Sequence, residues 1–300
     1  MIKTVWAQNP AGKVLQLSLT ESEQDHDIVI FNITGLGPAK ATINGQGGPN
    51  FDGVRVNSAR LDARHMTITL AITATGDAEE VAKNKIYEYF PVKKQIVFGI
   101  TTDDKDVYTG AIVENNEFNQ FAKVENAVIS LYCSNPYFID VLLKEVIISS
   151  DFAVPNFQFP WSNESLTVKT LIFGLVTALP TGYVYYAGQV ETGMDIVLEF
   201  TDAATEIVLT NVNGAQQMTI DVSDVGPTEA GDQIFINTRV GEKSIWFVRD
   251  AVWTNMINYV GLNDDWLQLK PGTNTIIVNA TTGLDNIETY LTYRALREGV

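Results

Sequence analysis

The sequence predicts a mainly β chain of two domains with one helix. Three observations carry that reading: short runs in which apolar residues recur at alternate positions, turn-forming pairs between the runs, and one stretch alone with helical spacing. With 300 residues, 45% hydrophobic and 19% charged, the chain has the make-up of a globular protein. Its length suits two cores of about 150 residues each. That composition excludes a disordered, collagen-like or coiled-coil chain.

Taken in order, a β-branched run at 28–33 is followed by Met66-Thr-Ile-Thr-Leu-Ala-Ile72, whose even positions are all apolar. Alternate side chains of a strand face opposite ways, so this strand has one core face and one wetter face. Next, Asp77-Ala-Glu-Glu80 reads as an N-cap with an acidic residue three places on, a variant of the capping box. Val81, Ala82, Ile86, Tyr89 and Phe90 then share a face, and Pro91 stops the run. A helix over 77–90 is expected. Further strands are predicted at 94–101, 107–114 and 124–133, the last ending on Cys133 as core filler. The prolines and small polar residues of 149–160 suggest a boundary, giving domains 1–152 and 153–300. In the second, strands are read at 196–200, 206–211, 216–222, 233–237, 243–249 and 273–280. Turns are expected at Asn44-Gly45, Asp52-Gly53, Thr181-Gly182, Asn213-Gly214, Val240-Gly241 and Pro271-Gly272. Many short strands with such turns build sandwiches or barrels.

Charge narrows the function. Twenty basic and 36 acidic residues leave −16, with −5 on residues 1–150 and −11 on 151–300. So acidic a surface repels a phosphate backbone, and nucleic-acid binding is not expected. No membrane partner is expected either, because the closest apolar stretch, Leu166 to Leu179, is interrupted by Lys169 and Gly174. The first ten residues do not read as a signal peptide, which predicts a soluble chain made in the cytoplasm.

Candidate chemistry is sparse. One cysteine, Cys133, and two histidines, His26 and His65, provide no zinc framework and no motif linking a nucleophile to a base. The Gly-rich stretch 44–53 lacks the Lys-Ser/Thr ending of a phosphate loop and is followed by a strand, so a surface loop is the better reading. Glu21 to Asp27 offers four carboxylates without calcium-loop spacing, and reads as a solvated hairpin loop. Asp103–Asp106 reads as a charged hairpin tip and Asp264-Asp265 as a turn. Carboxylates paired in space for glycoside hydrolysis leave no sequence signature. Aromatic residues remain: Trp161, Trp246, Trp253 and Trp266, with Tyr183, Tyr185 and Tyr186. Core or protein interface is favoured over sugar stacking, because no polar constellation accompanies them.

Several stretches, in order, resemble the distal tail proteins of siphophages. They are Ile33-Thr-Gly-Leu36, Phe51-Asp-Gly53, Arg64 leading into Met66–Ile72, the helix ending in Phe90-Pro91, Tyr108–Val113 and Val128–Phe138. In the second half they are Gly188–Gly193, Gly231–Thr238, Trp266–Ile276 and Ile287 through Arg294. The resemblance implies a tail-tube-like N-terminal β domain with one helix and a galectin-like C-terminal β-sandwich. It further implies a structural, non-enzymatic hub with no cofactor or metal, at the virion tail tip. A homo-hexameric ring would there meet the tail tube protein, a tail-associated or tail-fibre hub protein and a receptor-binding protein. One departure stands out: Ile236-Asn-Thr238 where the family often has Ile-Asp-Thr. The alternative, from another class, is a carbohydrate-binding adhesin acting through the C-terminal sandwich.

Overall fold

In the computed structural model the described residues are 1–19, 27–48, 52–119, 125–149, 180–222, 226–261 and 264–300, with the backbone of 153–155 and 174–176. They form two units, Met1–Leu142 with Leu296–Val300, and Leu143–Ala295. The sequence places the division at 152/153. The structural division falls earlier because strand β11, Lys144–Ile148, already pairs within the second unit.

The first unit is built on a nine-stranded sheet, counted over the described residues. Its strands run β2 (Val14–Ser18), β1 (Ile2–Gln8), β7 (Gln95–Thr102), β8 (Asp106–Asn119), β9 (Asn126–Cys133), β6 (Arg64–Ile72) and β3 (Ile28–Thr34), with β10 (Phe138–Asp140) and the last strand, β23 (Leu296–Arg297), joined to them. The alternation read at 66–72 extends back to Arg64: residues 64, 66, 68, 70 and 72 are all buried. They pack with Phe98, Ile100, Ile129 and Leu131 into one core.

The helix α1 spans Asp77–Tyr89 and presses Ala82 and Ile86 into that core, with Phe90 beside them. Val81, expected on the same face, is exposed. Asp77 is not the cap. Gly76 occupies that position with φ 67°, a conformation that suits glycine, and no side chain caps the helix. The acidic first turn still complements the helix dipole. Lys83 bonds Glu125 and Glu79, each at 2.6 Å, and these hydrogen bonds raise its pKa to about 12.

Between β3 and β6 a hairpin leaves the sheet. Strands β4 (Ala41–Gln46) and β5 (Arg55–Leu61) pair with each other and with no other described strand. Asn44-Gly45 is not a turn but lies within β4, where the register slips; the connection runs through Asp52-Gly53.

The second unit is a sandwich of two antiparallel sheets. One runs β11, β22 (Ile287–Tyr293), β15 (Asp195–Phe200), β18 (Gln233–Asn237), β19 (Ser244–Arg249) and β20 (Val252–Asn255). The other runs β14 (Thr181–Tyr186), β21 (Gly272–Thr282), β16 (Thr205–Asn211) and β17 (Gln216–Ile220). Their inward positions, among them Ile196, Leu198, Ile234, Phe247, Leu209 and Val278, share one core. Thr181-Gly182, expected as a turn, opens β14. Glycine leaves room there for the Ile148 side chain, which would stand 2.5 Å from a Cβ and would have to shift. A short pair, β12 (Ala153–Pro155) with β13 (Gly174–Val176), lies within the stretch expected to divide the domains. The mainly β architecture, with one α-helix among the described residues, is as the sequence predicts.

Candidate functional site

The residues expected to carry nucleophilic chemistry are kept apart. Cys133 ends β9 fully buried, and burial pushes its thiol up to about 11, so little thiolate forms at neutral pH. His65 pairs in register with Tyr132, on the opposite face from Cys133, and lies exposed with Glu114 at 3.6 Å. His26 and the acidic loop 21–26 lie outside the described residues. No group of three or more histidine, cysteine, aspartate or glutamate side chains converges for a metal among the described residues. A hollow beside Trp6, lined by Val5, Leu15, Ile30, Leu70 and Phe98, offers no polar group to orient a ligand.

Asp103 sits at the β7–β8 tip, as expected. Hydrogen bonds from the chain's amino terminus and from Lys3 hold its carboxyl down at about 2. Asp264 accepts the backbone N–H of Thr219 and thereby shapes the turn before Trp266.

Among the described residues two charged side chains are buried, one in each unit, and each ties loops of its own unit; sequence reasoning gave neither a buried role. Arg64 is 2% exposed. Its guanidinium donates to the carbonyls of Pro136, Gly35, Gly37 and Glu298 and lies 4.3 Å from the Phe138 ring centre. No carboxylate pairs with it among the described residues, and desolvation lowers its pKa. In the second unit Asp232 is 3% exposed and takes Arg249 Nε at 3.0 Å, Arg249 Nη2 at 2.5 Å and the backbone N–H of Glu229 at 2.7 Å. The signal for both is parity. Arg64 shares the inward phase of Met66–Ile72, and Asp232 that of Ile234 and Ile236.

The Asn237 departure also has a structural reading. Its Oδ1 accepts the backbone N–H of Arg239 at 2.9 Å, a role a carboxylate oxygen fills equally well. Arg239 itself reaches Asp195. Thr238 is buried and closes β18 onto Met194 through its hydroxyl.

The aromatic residues divide. Tyr186 is core, while Tyr183 and Tyr185 point outward from β14. Trp266 is half-buried against the core beneath Lys243, and Trp161 lies outside the described residues. On the outer face of the six-stranded sheet, register aligns Ile147, Tyr290, Val197, Phe235 and Trp246 in one row. Trp253, 56% exposed, stacks on Phe235 at 5.1 Å and meets Trp246 edge-on at 6.4 Å. Polar groups flank the row: Gln233 donates to Glu199 at 2.7 Å, and Tyr290 donates to Glu288 at 2.9 Å. That bond, with desolvation and the charges of Glu288, Glu199 and Glu145, raises the Tyr290 pKa. The sheet therefore presents an apolar stripe flanked by carboxylates.

Comparison with known proteins finds a likeness within the second unit. Residues 187–295 match the model of the siphovirus-type tail component, C-terminal domain, a family named for the Dit protein of phage SPP1. This stretch is similar to a siphovirus-type tail component domain. The whole chain has the fold of the SPP1 Dit protein (gp 19.1), which is described as a paradigm of hub adsorption apparatus in phages infecting Gram-positive bacteria. The likeness has a TM-score of 0.63 at 13% identity, over 97% of this chain and 99% of that one. A chain of the phage P2 baseplate, in its activated conformation with Ca, matches at TM-score 0.51 and 11% identity over the whole of both chains. No curated protein matches. The domain match and the fold likeness both bear out the resemblance to siphophage distal tail proteins.

Proposed function

We propose that this chain is the hub of a siphophage tail tip: six copies form a ring joining the tail tube to the tail-associated and receptor-binding proteins. The observation that carries the reading is the whole-chain fold likeness to a hub protein, together with the family match of residues 187–295. In this reading the first domain forms the ring and the second, with the more acidic half of the sequence, projects towards partners. The ring-forming domain meets less self-repulsion, −5 against −11 over the two halves. No catalytic step is assigned, because Cys133 and His65 lie on opposite faces. Cryo-electron microscopy of tail tips tests the reading. A sixfold ring, about 199 kDa for six chains of 33.1 kDa, with the first domain at the axis is expected. Density with the second domain packed round the axis, or no ring, overturns it.

A second reading rests on the row that ends in Phe235, Trp246 and Trp253. The exposed Trp253, stacked on the half-buried Phe235 and flanked by Glu199 and Gln233, suits a sugar ring, whose C–H face stacks and whose hydroxyls take hydrogen bonds. Glycan-array binding by the full chain, lost in Trp253→Ala, supports it; an empty array removes it.

A further inference from the structure

We propose that the outer face of the sheet β14–β21–β16–β17 binds an uncharged polysaccharide, with Tyr183 and Tyr185 as its stacking platform. This site lies on the other sheet from the Trp253 row and does not depend on the ring. Side chains alternate along β14, and Gly182, Val184 and Tyr186 are its buried positions. Tyr183 and Tyr185 therefore share the outer face, where each is 72% exposed. Two residues apart on a strand, they stand about 7 Å from each other, so both can meet adjoining rings of one sugar chain. Register surrounds them with hydroxyls. Tyr183 lies opposite Thr275 and Tyr185 opposite Thr273, while Thr181 aligns with Ile277, Thr210 and Gln217 across the sheet. Threonine hydroxyls both donate and accept hydrogen bonds, as do those of a sugar.

What the face lacks narrows the occupant. In a chain of net charge −16, the outward positions of these four strands carry a single charged side chain, Glu206. Glu206 takes the Thr281 hydroxyl at 2.6 Å. That places it about 20 Å along β21 from Thr275. Lys270, in the loop before β21, has Glu191 at 4.0 Å. An anionic polymer thus finds no unmatched cation here, and a basic partner finds no carboxylate beside the tyrosines. A second copy of this acidic chain would bring like charge that no cation of the face offsets. The core of a protein interface needs large apolar side chains, but Val208 and Ile277 are half-buried. Among the described residues only Val212, just beyond β16, adds an exposed aliphatic side chain to this face. An uncharged polymer rich in hydroxyls, with apolar C–H faces, fits what remains.

Affinity electrophoresis of the full chain in native gels tests the site. The gels hold dextran, a galactomannan or a mixed-linkage β-glucan as neutral polysaccharides, and polygalacturonate as an anionic one. The variants are Tyr183→Ala with Tyr185→Ala, and Trp253→Ala. Both tyrosines are exposed, so an unchanged thermal midpoint is expected and confirms that the double variant folds; if it falls, the two single variants carry the comparison. At least one neutral polysaccharide should retard the wild type, and polygalacturonate should not. Added salt should leave the retardation unchanged, since no ion pair takes part. The double variant should bind at least about tenfold more weakly, because two stacking rings are lost. Trp253→Ala should bind like the wild type. Retardation in no neutral gel overturns the site, as does retardation by polygalacturonate alone or retardation that survives the loss of both tyrosines. Retardation lost only in Trp253→Ala also overturns it and supports the sugar reading of the Trp253 row. The ring is decided separately, by imaging of tail tips.

Discussion

Among the described residues the two units bury one charge each and satisfy it in opposite ways. In the first, the Arg64 cation is surrounded by carbonyl dipoles from residues distant in sequence, with no counter-charge among the described residues. In the second, the Asp232 carboxylate takes a forked arginine and a backbone N–H. A delocalised guanidinium with five donors can be paid for by neutral oxygens spread over several loops, whereas a carboxylate needs donors in its own plane. Arg64 therefore holds Gly35, Gly37, Pro136 and the returning end of the chain at Glu298. Asp232 joins a strand end to its neighbouring strand. The first is a long-range tie and the second a local one.

The largest expected effect breaks the long-range tie. Arg64→Ala strands several buried carbonyls and should cost on the order of 4 kcal/mol. Arg64→Lys should restore little, since a single ammonium cannot reach all four residues. Midpoints of chemical denaturation measure both, and a lysine variant as stable as the wild type would show that charge alone matters.

Asp232→Asn should cost less, about 2 kcal/mol, because Arg249 is partly exposed and water takes over some of its donors. If this variant proves the more damaging of the two, the contrast between a distant and a local tie is wrong.

The third effect sharpens the contrast through pH. Cys133, the only cysteine of the chain, lies in the first unit beside Arg64 in register. Its folded pKa of about 11 lies above the ordinary 9.0. The stability this contributes is fully present below pH 9 and is lost as pH rises towards 11. The first unit should therefore loosen on the alkaline side, which Cys133→Ser or Cys133→Ala removes. Thiol titration follows it directly: the reagent should react slowly at neutral pH and faster as pH approaches 11.

Smallest of all is Asp77→Ala. With Gly76 in the cap position and no side-chain cap bond, only the dipole interaction is lost, a few tenths of a kcal/mol. A drop of 1 kcal/mol or more in thermal unfolding would restore Asp77 as the cap.

The sequence by itself determined the class of the fold and most of its strands, because alternation is a local consequence of a pleated backbone with one buried face. Met66–Ile72, Ile196–Phe200 and Gln233–Asn237 are all strands, and Ala82 and Ile86 face the core from the helix expected there. Local signals misled where a glycine served a distant neighbour: Gly182 makes room for Ile148, and Gly45 sits at a register slip opposite β5. Tertiary structure alone decided which charges are buried. Parity places Arg64 and Asp232 inward, but only the loops that converge on them make burial tolerable, and those loops come from as far away as residue 298. The aromatic row of Tyr290, Phe235 and Trp246 is equally a product of register, since strands separated by tens of residues must pair before their outward side chains become one surface.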